Sequence, residues 1–353
     1  MYHRLLQGFA LLAVLCIITV LAVPVDISHV ANASAPALGT EAAAIACDPA
    51  AATCKFAPLP EPKLGKFNQA AIEKIDLTTY PLVPTISAHV LAIYQEGLRK
   101  GNNLLVFSKV GDCMTATEDF MKPFASGDYT LGDYASLEKV IKLYAKVPAG
   151  VKDGGFDSFS NPGFADTSGF NAAGVLDSTW SDPKICSADE SPLACEYRVS
   201  KPGIAFIMFG TNDIKSIKPE QFDFYLRQVI VQTVNNGIIP VLSTFPVQPG
   251  LEDASVLFNK ITVQVATDYD IPLINLYLAL KPLAHQGVDP VQNTHMTKPD
   301  SGKSADFSKD GLQYGFNVRN LLTLQTLEAV VKAVSPNLLD GAATQSAAAT
   351  QPK

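Results

Sequence analysis

The feature that most constrains the fold is an apolar stretch over residues 104–110 that breaks abruptly at a Gly-Asp pair. An uninterrupted run of strand-forming residues is typical of a parallel strand that is buried on both faces. A second such stretch, residues 204–209, ends in Gly-Thr-Asn-Asp. Ligands of open parallel sheets bind at the carboxyl ends of the strands, so Cys113 and Asn212 are placed where a site would form.

Helical patterns separate these two strands from two others. The helical patterns cover residues 83–100, 221–234 and 251–269, and the further strands cover 238–244 and 271–276. Strands that alternate with helices predict a three-layer α/β/α domain with a mostly parallel sheet. The sequence has no phosphate-binding loop, no dinucleotide fingerprint and no Gly-x-Ser-x-Gly elbow, which argues against those classes.

Composition and charge exclude some partners. The chain has 353 residues, of which 47% are hydrophobic, so it can bury a sizeable core in one large or two smaller domains. The net charge is −7, and no basic run offsets it. Nucleic acids and anionic membrane surfaces repel such a chain. We therefore expect no nucleic-acid partner and no membrane contact beyond the N-terminal segment.

Residues 1–35 predict an export signal or an uncleaved anchor. His3 and Arg4 precede an apolar run over residues 9–23. The run is shorter than the about 20 residues that a spanning helix needs, and it is typical of a signal-peptide core. Small residues at 33–35 offer a cleavage site. These features predict a secreted or cell-envelope protein.

The remaining chain divides into three parts by composition. Residues 36–80 are rich in Ala and Pro, and we expect a linker with little packed structure beyond one small cysteine loop. Residues 81–334 carry the strand and helix patterns of the α/β domain. Residues 335–353 are of low complexity and predict a disordered tail.

Cysteine spacing predicts two local disulfides and one unpaired thiol. Cys47 and Cys54 close one short loop, and Cys186 and Cys195 close another. Short loops of this kind suit disulfides in an exported protein. Cys113 then has no obvious partner, so it is reactive, buried and inert, or paired between molecules. A bridge from Cys113 to a loop cysteine stays open, because sequence does not fix connectivity.

Four short blocks, in this order, resemble the SGNH (GDSL-type) hydrolase superfamily. They are Gly-Asp-Cys at 111–113, Gly174, Gly-Thr-Asn-Asp at 210–213, and Gln-Asn-Thr-His at 292–295. The resemblance covers about residues 104–334, and it implies a flavodoxin-like topology, ester hydrolysis, and neither a metal nor another cofactor. Two positions depart from the family pattern: Cys113 replaces the nucleophilic serine, and Gln292 replaces an aspartate.

The resemblance implies that Cys113, His295 and Gln292 form the catalytic group. A thiolate is the attacking species, so we expect a pKa of Cys113 below about 8.5, lowered by a helix N-terminus and by the imidazole. An amide costs a serine enzyme about 10⁴ in rate, but it serves in the Cys-His-Asn group of papain-like proteases. The alternatives are a buried, inert Cys113, a solvated His295, and His285 as the base.

An oxyanion hole is implied at the same edge of the sheet. Its expected donors are the side-chain amide of Asn212 and the backbone N–H groups of Cys113 and Gly174, each of which is typically worth about 10² to 10³ in rate. Three carboxylates are supporting residues: Asp112 lies in the first block, Asp213 is expected to cap a helix, and Asp289 is an alternative partner of His295.

The sequence therefore predicts a secreted hydrolase that cleaves carboxylic esters, on a small molecule or a polysaccharide, through an acyl-enzyme on Cys113. Acyl or acetyl groups on glycans are the expected substrates, from the resemblance and the compartment. A catalytically inactive glycan-binding or envelope protein of the same fold is the alternative. An acyltransferase is a third interpretation.

Overall fold

The computed structural model describes residues 56–339, apart from Lys66 and Lys146, together with the backbone of residues 47–48 and 53–54. The expected export signal or anchor and most of the expected disordered tail lie outside the described residues. Within them, no helix combines the length and the apolar character that crossing a bilayer requires.

The domain is built on a parallel sheet of four strands. They are β3 (Asn103–Gly111), β4 (Pro202–Met208), β5 (Ile239–Ser243) and β6 (Leu273–Ile274), in the order β3-β4-β5-β6, and a separate antiparallel pair is formed by β1 (Cys47–Asp48) and β2 (Thr53–Cys54). Adjacent strands of the larger sheet all run parallel. The predicted α/β fold with a parallel sheet is confirmed.

A single bridge extends the sheet beyond β3. Asp166 pairs in parallel with Gly111, and the flanking bonds are Gly111 N–H to Ala165 O at 3.0 Å and Thr167 N–H to Gly111 O at 3.3 Å. This segment precedes β4 in the chain and lies on the outer side of β3. The spatial order is therefore the 2-1-3-4-5 of flavodoxin-like folds, with the second strand reduced to one bridge.

Helices cover both faces of the sheet. The α-helices are α1 (Gln69–Ile72), α2 (Ala88–Arg99), α3 (Cys113–Ala116), α4 (Pro123–Ser126), α5 (Glu138–Tyr144), α6 (Pro192–Ser200), α7 (Asp213–Ser216), α8 (Pro219–Asn235), α9 (Glu252–Asp268), α10 (Leu276–Leu280) and α11 (Gly315–Val334). Short 3₁₀ helices lie at Leu77–Thr79, Gly132–Leu137, Gly174–Leu176, Ser178–Trp180, Ala284–Gly287 and Gly311–Gln313. Helices α8 and α9 pack together on one side, and α2 and α5 pack on α11 on the other.

Packing begins before residue 81. Ile72 and Leu77 are buried in the hydrophobic core. The Leu59 N–H donates to Asn235 Oδ1 at 2.7 Å, and Asn235 Nδ2 donates back to Leu59 O at 3.0 Å. The last part of the predicted linker, residues 36–80, is therefore part of the domain. Because α1 has only four residues, no helical period marks this part of the domain in the sequence.

The structure pairs the cysteines largely as expected. Cys186 and Cys195 form a disulfide. The backbones of Cys47 and Cys54 lie opposite each other in the β1–β2 pair, but their side chains lie outside the described residues. Cys113 is a free thiol.

Candidate active site

Strand β3 delivers Cys113 to the carboxyl edge of the sheet. A side chain on Gly111, the last residue of β3, would meet the carbonyl oxygen of Met208 at 2.6 Å, so only glycine fits there. Asp112 then caps α3 by accepting the Met114 N–H at 3.0 Å. Cys113 is the first residue of α3 and is half-buried, so its thiol is held at the strand end and remains accessible.

The structure brings His295 to Cys113 across 182 residues of chain, with His295 Nε2 at 3.2 Å from Cys113 Sγ. His295 Nδ1 lies 2.7 Å from Gln292 Oε1. An amide oxygen only accepts, so Nδ1 carries the ring proton and Nε2 presents a lone pair to the thiol. The three residues that the sequence named as the catalytic group form one hydrogen-bonded line.

Asp289 shapes the loop that carries His295. Its Oδ1 accepts the N–H groups of Val291 and Gln292 at 2.8 and 2.9 Å, and its own N–H donates to His295 O at 2.9 Å. These backbone bonds, that from Gln292 first, lower the pKa of the Asp289 carboxyl. Asp289 therefore folds the turn, while Gln292 holds the ring. His285, the alternative base, is exposed in a 3₁₀ helix.

Burial raises the pKa of the Cys113 thiol to about 11, and the negative charge of Asp112 raises it further, whereas nearby backbone N–H groups oppose the shift. The expected lowering of this pKa is therefore wrong. The sequence predicted that a helix N-terminus would stabilise a thiolate at Cys113. That helix, α3, has only four residues, so its dipole is small. With this pKa the Cys113 thiol keeps its proton at neutral pH, and His295 Nε2 lies 3.2 Å from its sulfur.

Asn212 follows β4, which lies next to β3 in the sheet, and it occupies the N-cap position of α7 without a side-chain capping bond. It is half-buried, and its Nδ2 donates one proton to Phe170 O at 2.8 Å, which leaves the second proton of the amide for a ligand. Gly174 differs from expectation, because its N–H already donates to Asn171 Oδ1 at 2.8 Å. In this structure the Gly174 N–H is not free to bind an oxyanion.

Asp213 ties the end of β4 to the loop before α6. It is buried, and its two oxygens accept the N–H groups of Ala172 and Gly210, both at 2.8 Å. Burial raises the pKa of this carboxyl to about 7. The prediction that Asp213 caps α7 is wrong, because Asp213 is the first residue of that helix and Asn212 occupies the N-cap position.

Arg319, in α11, is a site residue that the sequence reasoning missed. Its Nη1 and Nη2 donate to Met114 O at 2.5 Å and to Thr115 Oγ1 at 3.0 Å, and its Cζ lies 3.7 Å from the centre of the Phe120 ring. It is buried, which lowers its pKa, while the charge of Asp112 opposes that shift. An arginine stays protonated in proteins, so a cation lies beneath α3. Its one sequence signal is a basic residue within an apolar helix.

Among the described residues, one group of side chains lies close enough together to hold a metal ion: Cys186, Glu190 and Cys195. The two cysteines are bonded to each other, and Glu190 binds Arg198 at 2.7 Å. A disulfide has no thiolate to offer, so these residues do not form a metal site.

Comparisons with known proteins gave matches only among solved structures. No protein-family model matches the chain. No curated protein matches its sequence. One similar structure is a putative lipolytic protein of the G-D-S-L family from Desulfitobacterium hafniense, with 14% identity and a TM-score of 0.40, covering 64% of this chain and 99% of that one. Another is the psychrotrophic esterase EstA from Pseudoalteromonas sp., with 12% identity and a TM-score of 0.38, covering 63% and 98%.

Proposed function

We propose that this chain is an extracytoplasmic carboxylic ester hydrolase that forms an acyl-enzyme on Cys113. The observation that carries the proposal is the line of contacts from Cys113 Sγ through His295 to Gln292 Oε1. It lies at the carboxyl edge of a parallel sheet, where ligands bind in open α/β folds. Acyl transfer requires a nucleophile, a base that takes its proton, and a group that orients the base.

In the acylation step, His295 Nε2 takes the thiol proton while Sγ bonds to the carbonyl carbon of the ester. The carbonyl electron pair moves onto oxygen, and the oxyanion accepts from the free amide proton of Asn212 and from the Cys113 N–H. The tetrahedral intermediate then reforms its carbonyl and expels the alkoxide, which takes the proton from His295. The products of this step are the alcohol and a thioester on Cys113.

Deacylation repeats these steps with water as the nucleophile. His295 removes a proton from water as the oxygen attacks the thioester, and the proton returns to the departing sulfur. A group with a lower pKa leaves faster. The acylation intermediate therefore returns to substrate unless His295 protonates the alkoxide, so we expect aryl esters and thioesters to react faster than alkyl esters.

The proposed substrates are acyl or acetyl groups on an extracellular glycan. The N-terminal sequence pattern and the Cys186–Cys195 disulfide support an oxidising, extracytoplasmic compartment. The net charge of −7 favours an uncharged polymer over a polyanion.

Hydrolysis of a short aryl ester by the purified domain tests the proposal. Cys113→Ala and His295→Ala should each lower kcat/KM by about 10³-fold or more, because each removes a group that the step cannot replace. His285→Ala is the matched control, since this exposed histidine lies in the same region of the chain. Equal rates for wild type and Cys113→Ala would overturn the proposal.

A second candidate is a non-catalytic glycan-binding protein of the same fold. The raised pKa of Cys113 and the engaged N–H of Gly174 favour it. This candidate predicts that no acyl group appears on Cys113 when an aryl ester reaction is quenched and weighed by mass spectrometry. It also predicts polysaccharide binding that Cys113→Ala leaves unchanged.

A further inference from the structure

A cleft of about 990 Å³ begins at Glu118, five residues after Cys113, and its lining does not include Cys113, Asn212 or His295. Its walls come from three segments, which are residues 118–128 after α3, residues 148–162, and residues 302–304 ahead of α11. Asp119, in the first wall, binds Lys298 at 2.9 Å, and Lys298 lies three residues after His295. The cleft therefore adjoins both the turn that follows the nucleophile and the loop that carries the base.

One buried amide fixes two of these walls to the core. Asn320 of α11 donates through Nδ2 to Asp119 O and to Ser304 O, both at 2.8 Å. Its Oδ1 accepts the Met121 N–H at 3.0 Å. A cleft whose walls are held in this way exists before a ligand arrives, as most ligand sites do, and its volume is at the upper end of their range of about 300–1,000 Å³.

The lining combines hydrogen-bonding groups with flat apolar rings. Four carboxylates and one lysine line it, namely Glu118, Asp119, Asp128, Asp157 and Lys122. Hydroxyls come from Ser126, Ser160 and Ser304, and rings come from Pro123, Pro148, Pro162 and Phe156. Ser304 is 1% exposed. Phe156 is 38% exposed, so its ring is open to a ligand.

The charges of the lining disfavour an anionic ligand. Lys122, the one lysine in the walls, is paired with Glu118, and Lys298 is paired with Asp119. Asp157 accepts the N–H and the hydroxyl of Ser160 at 2.9 and 2.8 Å. No unpaired cation is left among the described lining residues, so a phosphate or a uronate would meet net negative charge.

We infer that this cleft binds the uncharged sugar residues that carry the acyl group. Sugar hydroxyls donate to carboxylates and exchange hydrogen bonds with serine hydroxyls, and the C–H faces of pyranose rings pack on aromatic and proline rings. The inference rests on the proposed function for the acyl step, whereas sugar binding itself does not need catalysis.

Calorimetry on the full-length Cys113→Ala variant tests the inference. The probes are neutral tetrasaccharides of β-1,4-linked glucose, xylose and N-acetylglucosamine, with a tetragalacturonate and spermine as charged ligands. At least one neutral tetramer should bind, and Phe156→Ala and Asp128→Asn should each raise its Kd about tenfold. The matched controls Trp180→Ala and Asp133→Asn change exposed residues outside the lining and should leave Kd unchanged.

The inference is overturned if no neutral tetramer binds, if Phe156→Ala and Asp128→Asn bind like the controls, or if spermine or the uronate binds more tightly. Aryl ester hydrolysis separates this outcome from failure of the proposed function. A short aryl ester needs only the group around Cys113, so the wild-type protein should hydrolyse it whether or not a tetramer binds in the cleft. Sugar binding without any esterase activity would refute the proposed function and leave the cleft's role standing.

Discussion

The amide of Gln292 stands beside His295 where a carboxylate would hold the ring in a serine hydrolase of this pattern. An amide oxygen fixes the tautomer and the ring orientation, as the 2.7 Å contact to Nδ1 indicates, but it adds no negative charge to stabilise an imidazolium. Sulfur tolerates this better than oxygen, because a thiol gives up its proton far more readily than a serine hydroxyl. We therefore propose that the cysteine at 113 and the glutamine at 292 depend on each other.

A double-mutant cycle measures that dependence. We expect Cys113→Ser to lower kcat/KM for an aryl ester by about 10²-fold or more, because an amide-held imidazole is a poor base for a hydroxyl. Adding Gln292→Asp to that variant should recover about tenfold or more, since the carboxylate stabilises the imidazolium. Gln313→Asp, at an exposed glutamine, is the control. Strictly additive effects of the two changes would contradict the dependence.

The alkylation of Cys113 as a function of pH reports its protonation state directly. The pKa of the thiol is about 11, chiefly through burial, so the thiolate fraction at neutral pH is small. We expect iodoacetamide to label Cys113 about tenfold or more slowly than free cysteine at pH 7.5, and the rate to keep rising through pH 10. Mass spectrometry of the labelled peptide gives the rate. A rate that levels off below pH 7 would instead indicate a preformed thiolate.

At the scale of elements, α11 supports the nucleophile through Arg319, which binds both Met114 O and Thr115 Oγ1 of α3. We predict that Arg319→Met slows alkylation of Cys113 and lowers kcat/KM by about tenfold or more, because the buried positive charge favours the thiolate and the oxyanion. Arg319→Lys should retain part of both rates, since it keeps the charge.

Stability measurements separate this electrostatic role from a structural one. Burying a charge is costly, so Arg319→Met should change the unfolding midpoint little. Arg227→Met is the matched control, because Arg227 binds Asp223 and Asp268 in α8 and α9, far along the chain from Cys113. It should destabilise the protein without altering alkylation. If Arg319→Met alkylates like wild type, or if Arg319→Lys alkylates as slowly as Arg319→Met, the charge is not what matters.

The elements differ in how well the sequence predicts them. The strands β3 and β4 follow from mostly apolar runs, and the helices α8 and α9 follow from clear helical periods, because burial largely determines these patterns. The length of α3 does not follow from any such pattern. Thr117 adopts an extended backbone, and its Oγ1 accepts the Asp119 N–H at 3.2 Å, so a local side-chain bond ends the helix after one turn. The bridge at Asp166 is too short to leave a pattern.

Over the whole molecule, the sequence predicted which residues meet at the site better than it predicted their chemical state. The motifs identify Cys113, His295 and Gln292, because each follows a strand or precedes a helix in a fixed order. The pKa of Cys113 depends on how deeply the folded chain buries it, and the bond from Gly174 to Asn171 depends on loop geometry. Neither the burial of Cys113 nor the geometry of the loop at Gly174 can be read from the spacing of residues in the sequence.

Buried carboxylates should also give the whole molecule an unusual pH dependence of stability. Burial raises the pKa of Asp112 to about 6 and that of Asp213 to about 7, against an ordinary value of 3.8. Between pH 4 and 7 the folded chain therefore binds more protons than the unfolded chain, so its stability falls as the pH rises. Asp166, whose pKa burial also raises, adds to this trend, whereas buried His89, whose pKa burial lowers, opposes it within the same window. Carboxyls with a lowered pKa, such as Asp289, also oppose it, but they titrate below this window.

We therefore predict a higher denaturation midpoint in urea at pH 5 than at pH 8. The slope of the unfolding free energy against pH should correspond to about one to two protons taken up by the folded state. Asp213→Asn should flatten the slope by about one proton, while Asp182→Asn, at an exposed loop residue, should not alter it. Stability that rises from pH 5 to 8 would mean that Asp112 and Asp213 are ionised in the fold. Their negative charges would then disfavour a thiolate at Cys113 throughout the range from pH 5 to pH 8.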